Sequence, residues 1–175
     1  MTTPTLRAYH GDESIKETYL RRVRAHRAAD QIVQGRGSWM EDHGCAVGCT
    51  IHSSDHRAYE RELGIPVELA HLEDAIFEGL PPYESKEWPL EFLSAIRPGA
   101  DLTGVYDLWS AWNLIDPHSG VLTLVSAEFR EVRRIVRETG EACLRHERMS
   151  AARAARAACG HAGSPSHIVQ YRAFQ

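Results

Sequence analysis

The chain has 175 residues, of which 43% are hydrophobic and 25% charged, and its formal net charge is -4. This length supports one sizeable core, so we expect a single helical domain over residues 1–160 and a loosely ordered tail over residues 161–175. Neither a membrane-spanning apolar run nor a secretory signal is present, which predicts a cytoplasmic protein whose four cysteines are thiols or metal ligands.

The first strong helical pattern covers residues 14–34, which contain no glycine before Gly35 and no proline. Ser14 is the predicted N-cap, and Glu17 follows three residues later, as in a capping box. Apolar residues recur at spacings of three and four, and His26 and Asp30 lie four residues apart on the same stripe. The pattern therefore predicts a histidine–carboxylate pair on an inward-looking face.

Residues 35–53 contain four glycines, which predict an irregular loop that carries Cys45 and Cys49. Further helical patterns follow over residues 54–63, 66–79, 87–96 and 101–115, and a long basic helix begins near residue 126, with an interruption at Gly140. Residues 121–125 form the only strand-like run, and one such run does not make a sheet. The expected fold is all-α (mainly), a compact multi-helix bundle with a Gly/Cys-rich loop after the first helix.

The densest group of metal-ligating side chains lies in and just after this loop. Five side chains within fourteen residues can bind zinc or another transition metal: His43, Cys45, Cys49, His52 and His56. Structural zinc sites usually pair two Cys-x2-Cys or Cys-x4-Cys knuckles, and no second knuckle is present. The density of ligands predicts a metal site, whereas the spacing is not that of a known structural zinc motif.

A second interpretation makes Cys49 a nucleophile, because a thiol near a helix N-terminus has a lowered pKa. Cys45 would then be its resolving partner, His26 the base and Asp30 the residue that orients the base. A third interpretation needs no chemistry, because free cysteines are among the most buried residues and can simply fill the core. In that case His26 and Asp30 would bond to each other and to the loop.

Three acidic residues, Glu73, Asp74 and Glu78, lie together on the predicted helix over residues 66–79. They are able to supply carboxylates to a metal or to act as a general acid. Acidic residues on a short amphipathic helix usually mark its solvated face, and the pattern favours that reading.

The charge is distributed unevenly along the chain. Residues 35–129 hold 16 acidic and 5 basic side chains, a sum of -11, whereas residues 1–34 sum to +2 and residues 130–175 to +5. The acidic face between Glu60 and Glu91 suits a protein partner with a basic surface. An acidic centre disfavours nucleic acid, except through the Arg-rich C-terminal helix.

Five segments stand out in chain order: RVRAHRAAD, GCAVGCTIHSSDH, LGIP, LEDAIFEGLP and FLSAIRPGADL. They resemble a family of uncharacterised proteins from bacterial and phage or prophage genomes, and the resemblance covers roughly Tyr9 to Leu102. It implies a genomic context and carries no activity.

Three functions stay open on the sequence. The first is a small protein with a Cys/His site for thiol-dependent or metal-assisted chemistry. The second is a phage or mobile-element inhibitor of a host defence protein, acting through the acidic face without catalysis. The third is a structural or interaction module.

Overall fold

The computed structural model describes residues 6–35 and 39–146. All regular elements in these residues are helices, accompanied by two isolated β-bridges, which confirms the mainly α fold. The chain divides into two compact units, Met1–Thr103 and Gly104–Gln175. The single domain over residues 1–160 stays a prediction, and the predicted tail lies outside the described residues. None of the described helices has the length and hydropathy needed to cross a bilayer.

The first unit contains helices α1 (Glu13–Ala28), α2 (Ala46–Ile51), α3 (Val67–Gly79), α4 (Pro82–Ser85) and α5 (Trp88–Ala95). A 3-10 turn at Ala8–Gly11 and a π-helical turn at Tyr59–Leu63 complete it. The second unit contains α6 (Val105–Ile115), α7 (Val121–Leu124) and α8 (Arg130–Leu144). The predicted helix over residues 54–63 is thus only the short π-helical turn, and the strand-like run is the helical α7.

Helix α1 begins and ends earlier than its pattern predicts. Asp12 caps it, because its carboxylate accepts a hydrogen bond from the Ser14 backbone N–H at 2.8 Å. After Ala28 the chain turns, with Asp30 in the left-handed region at φ 58°, and Ile32 then forms a bridge to Gly44. The predicted continuation of the helix to residue 34 is wrong, because these residues pair with the segment that precedes α2.

Helix α2 replaces the centre of the predicted irregular loop. All six of its residues are buried, and it packs against α1, α3 and α5. A short helix that is buried on every side must be apolar or have its polar groups bonded, and in AVGCTI the one side-chain hydroxyl, that of Thr50, donates to the Ala46 carbonyl at 3.0 Å. The prediction that both cysteines lie in an irregular loop is wrong for Cys49, which lies within the helix, whereas Cys45 is its N-cap.

Helix α3 confirms the predicted element but not its predicted solvated face. Leu69, Glu73 and Phe77 follow one another at spacings of four, and all three are buried. Glu73 therefore lies on the core-facing stripe, and the prediction that it belongs to the solvated face of the helix is wrong.

In the second unit, α6 and α8 pack against each other. Helix α8 runs through Gly140 without the predicted interruption. The glycine has no side chain, and this allows α8 to lie close to Ile115 of α6. A Cβ added at Gly140 would lie 2.6 Å from Ile115 Cγ2. Phe129 and Val132, at the start of this helical pattern, are exposed.

Candidate functional site at the two ends of α2

The buried helix α2 carries predicted site residues at its two ends and in its middle. Cys45 is its N-cap, Cys49 lies within it, and His52 is its left-handed C-cap at φ 51°. Each end meets a separate group of polar side chains. We call the group at the C-terminal end the histidine pair, formed by His26 and His52. The group at the N-terminal end, the carboxylate cluster, consists of Cys45, His56, His71 and Asp74.

The two rings of the histidine pair meet edge to edge. His26 Nε2 lies 2.7 Å from His52 Nε2, and His26 Nδ1 lies 2.7 Å from Gln31 Oε1. The Trp39 indole stacks on the His52 ring, with 4.4 Å between centroids and 23° between planes. His52 is exposed, while His26 and Trp39 are half-buried. The pair is therefore held in place on one side and open to solvent on the other.

Hydrogen bonding to Gln31 determines which nitrogen of His26 carries its proton. The Gln31 atom that lies 2.7 Å from His26 Nδ1 is the amide oxygen, and an amide oxygen can only accept a hydrogen bond. The Gln31 oxygen therefore faces His26, whose Nδ1–H donates to it. In the neutral ring the lone pair is then on Nε2, directed at His52. Burial, Arg22 and His26 lower the pKa of His52, which favours a neutral His52 ring at neutral pH.

Both cysteines of this region, Cys45 and Cys49, are protonated thiols. Burial is the main cause that raises the pKa of Cys45 and of Cys49, each to about 12. The Cys49 thiol donates to the backbone carbonyls of Gly44 and Gln31, at 3.4 and 3.5 Å. The nearby Asp74 carboxylate also contributes to the raised pKa of Cys45. Because the thiolate is the nucleophile and the metal ligand, this environment disfavours both roles.

The predicted pair of His26 and Asp30 does not form. His26 turns towards Gln31 and His52, whereas the Asp30 carboxylate bonds to Lys86 on the surface. The spacing of four residues brings side chains together only within a continuous helix, and α1 has ended before Asp30.

In the carboxylate cluster, Asp74 is the carboxylate near both His56 and Cys45. His56 Nε2 lies 3.5 Å from Asp74 Oδ2, and the hydrogen bond to Asp74 is the main cause that raises the pKa of His56. The His71 ring stacks on His56 with 4.5 Å between centroids, and burial and His56 lower the pKa of His71. At this end of α2, His56 therefore pairs with Asp74, and Cys45 lies near the same carboxylate.

The five predicted metal ligands are thus dispersed. His52 belongs to the histidine pair, Cys45 and His56 meet at Asp74, Cys49 bonds to backbone, and His43 bonds to the Asp42 carboxylate at 3.0 Å. Within residues 6–35 and 39–146, no three His, Cys, Asp or Glu side chains form a group able to hold a metal ion. The ligands do not assemble into one site, because α2 separates them.

A buried acid lies close to this region and was not predicted as such. Glu73 is fully buried, and its Oε2 accepts a hydrogen bond of 2.5 Å from the Tyr59 hydroxyl. Its other oxygen, Oε1, has no hydrogen-bond partner in the structure. Burial is the main cause that raises the pKa of Glu73 to about 8. The only sequence signal for this position is its spacing of four from Leu69 and Phe77.

Sequence reasoning also missed Gln31 and Trp39, the two residues that support the histidine pair. Neither belongs to a metal or catalytic motif, and only the chain path brings them to His26 and His52. In comparisons with known proteins, no family model, curated protein or solved structure matches this chain. The candidate site must therefore be interpreted from its own geometry.

Proposed function

We propose that this chain is a small metal-assisted protein that binds one divalent transition-metal ion between His26 and His52. The observation that carries the proposal is the convergence of the two Nε2 atoms at 2.7 Å. The proposal retains the metal-assisted chemistry expected from the sequence and replaces the five predicted ligands with two imidazoles.

The support around His26 is typical of a metal ligand. Metal-binding histidines usually donate their other ring N–H to an oxygen, which fixes the tautomer and the ring orientation. His26 does this with Gln31 Oε1 at 2.7 Å. The metal-binding atom of His26 is therefore preset as Nε2.

The distance between the two nitrogens requires only a small adjustment, and the proton that His52 Nε2 donates to His26 would move to His52 Nδ1 when the ion binds. Nitrogen ligands about 2.0–2.1 Å from a metal lie roughly 2.9–3.4 Å apart when they are neighbours in the coordination sphere. From 2.7 Å the rings must separate by a few tenths of an ångström or slightly more. His52 is exposed at the end of α2, so its ring is the one that moves.

Imidazole ligands suit zinc, copper and nickel, and two protein ligands leave the other coordination positions to water or substrate. A metal ion with open positions lowers the pKa of a bound water and generates a nucleophile near neutral pH. His26 and His52 would hold the ion, Gln31 would keep His26 oriented, and Trp39 would shield the His52 ring on one face.

The other functions expected from the sequence have less support. Thiol-dependent chemistry is disfavoured because Cys45 and Cys49 are buried with raised pKa values. The proposed acidic inhibitory face over residues 60–91 has less exposed negative charge than the sequence indicates. Glu73 is buried, and the charge of Glu87 is paired with Arg27. Membership of the bacterial and phage family remains a proposal on the five sequence segments. The Arg-rich C-terminal helix is described at Arg130–Leu144, and its continuation over residues 147–175 lies outside the described residues.

Titration calorimetry of metal-free full-length protein with zinc, nickel and copper salts tests the proposal. We expect one ion per chain with an affinity in the micromolar range, on the order of -8 kcal/mol. His26→Gln and His52→Gln should each abolish measurable binding, and Gln31→Ala should weaken it by about tenfold, because an outer partner of a metal-binding histidine contributes that much.

His118→Gln is the matched control, because His118 is an exposed histidine of the second unit, and it should bind as the wild type does. Cys49→Ser should also bind normally. Circular dichroism verifies that each variant is folded. If the wild type takes up no stoichiometric metal, or if binding is unchanged in both His26→Gln and His52→Gln, the proposal is wrong.

A further inference from the structure

Arg22 lies one helical turn before His26 on α1, so the two side chains share one face of the helix. Their Cβ atoms are about 5–6 Å apart. Both side chains reach α2: Arg22 Nη1 donates a hydrogen bond of 2.7 Å to the Thr50 carbonyl, and the His26 ring meets the His52 ring. Thr50 and His52 are only two residues apart. The Arg22 guanidinium group therefore lies beside the two proposed metal ligands.

The guanidinium group of Arg22 is held in place by the protein itself. Besides the hydrogen bond to Thr50, its carbon atom lies 4.9 Å from the centroid of the Tyr19 ring, which is a cation–π contact. The residue is half-buried. A binding group that is already ordered loses little conformational freedom when a ligand binds. Arg22 is therefore a preorganised cation beside the metal site.

The charge of Arg22 is not balanced by an acid. Among the described residues, no carboxylate forms an ion pair with this guanidinium group. The Glu62 carboxylate accepts a hydrogen bond of 2.7 Å from the Tyr19 hydroxyl instead. By contrast, Arg24 of the same helix pairs with Glu17. A half-buried cation without an anionic partner is stabilised by a ligand that brings negative charge.

The free edge of the guanidinium group selects the chemistry of that ligand. Because Nη1 is bonded to Thr50, the Nε–H and Nη2–H groups remain as a fork that binds two oxygens of one anion. A carboxylate has only these two oxygens, whereas a phosphate group has a third for the metal ion. Contacts of about 2 Å to the ion and about 2.8 Å to the fork, made by different oxygens of one phosphate, join two groups roughly 6–7 Å apart. One helical turn separates Arg22 from His26 by a similar distance.

We propose that the ligand of the metal site is a phosphate group, free or as a monoester, which bridges the metal ion and Arg22. The fork of Arg22 holds two phosphate oxygens, and the ion between His26 and His52 binds a third. The inference rests on the proposed function, because the ion supplies one of the two contacts. It adds the substrate class, a phosphate compound, which the two histidines alone do not define.

Titration calorimetry of the full-length protein, loaded with one equivalent of zinc, tests the inference with two probes, inorganic phosphate and phenyl phosphate. We expect one phosphate group per chain, and the two affinities distinguish a free phosphate from an ester as the preferred ligand. Arg22→Gln should weaken binding by at least about tenfold, because charge-assisted hydrogen bonds are lost. Arg22→Lys should also weaken it, since lysine keeps the charge but has no fork. Arg24→Gln is the matched control, because Arg24 is an exposed arginine of the same helix, and it should bind phosphate as the wild type does.

A wild type that takes up zinc but binds neither probe would overturn this inference and leave the proposed metal site standing. A wild type that takes up no zinc would overturn both. The inference is also wrong if Arg22→Gln and Arg22→Lys bind phosphate like the wild type. Loss of zinc in both variants would overturn it too, because Arg22 would then support the metal site rather than bind the anion. Circular dichroism checks folding, and if Arg22→Gln does not fold, Arg22→Lys decides the question alone.

Discussion

The burial of Glu73 should make the free energy of unfolding depend on pH, and replacing Glu73 with glutamine should remove that dependence. The carboxyl group is fully buried beside Tyr59, and its pKa is raised from 4.5 to about 8. The folded protein therefore holds a proton that the unfolded chain has already released above pH 4.5. Because protons favour the folded state in this window, the free energy of unfolding falls as pH rises from about 4.5 to about 8.

The size of the effect follows from the two pKa values. The interval between 4.5 and about 8 corresponds to a loss of roughly 5 kcal/mol, complete only above pH 8. Between pH 5 and pH 8 the expected loss is about 3–4 kcal/mol, because part of the change lies outside that range. In Glu73→Gln the side chain has nearly the same shape, its oxygen can still accept the Tyr59 hydroxyl, and it does not ionise.

Guanidinium unfolding at pH 5 and at pH 8, followed by circular dichroism, measures this difference. Relative to the wild type, Glu73→Gln should gain about 3–4 kcal/mol between the two pH values. Glu84→Gln, a change at an exposed glutamate of α4, should follow the wild type at both. If the difference between Glu73→Gln and the wild type is the same at pH 5 and pH 8, the buried acid is not the cause.

Two further predictions concern the backbone and the thiols of the first unit. Gly64→Ala should lower the free energy of unfolding by at least about 3 kcal/mol, because φ is +61° and an added Cβ would lie 2.1 Å from the Arg7 backbone oxygen. Gly35→Ala is the control: φ is +76°, but an added Cβ meets nothing within 4 Å, so it should cost about 1 kcal/mol. Denaturant unfolding of the two variants measures the difference. In the folded protein, Cys45 and Cys49 should react with iodoacetamide at least about a thousandfold more slowly than after unfolding, because their pKa values are raised from 9 to about 12. Mass spectrometry identifies the labelled sites, and rapid labelling of either cysteine in the folded state would contradict the packing described above.

Local sequence signals were sufficient for part of the fold. Helix α3 was predicted over residues 66–79 and observed at Val67–Gly79, and α5 begins at Trp88, one residue after the predicted start at Glu87. Proline at a first turn, glycine at an end and apolar periodicity act between residues close in sequence, so they need no knowledge of the rest of the chain. Helix α2 was missed because its glycines indicated a loop, and only burial on all sides makes this short segment helical.

The sequence by itself determined the helical class and the presence of imidazoles and thiols near α2. Tertiary structure alone decided their partners: His26 meets His52 instead of Asp30, Asp74 gathers Cys45 and His56, and Glu73 is buried. The physical reason is that a side-chain contact between distant residues depends on the path of the whole chain. The Nε2 atoms of His26 and His52 meet because α1 ends at Ala28 and α2 packs against it. The spacing of residues in the sequence predicts neither the end of α1 nor the packing of α2.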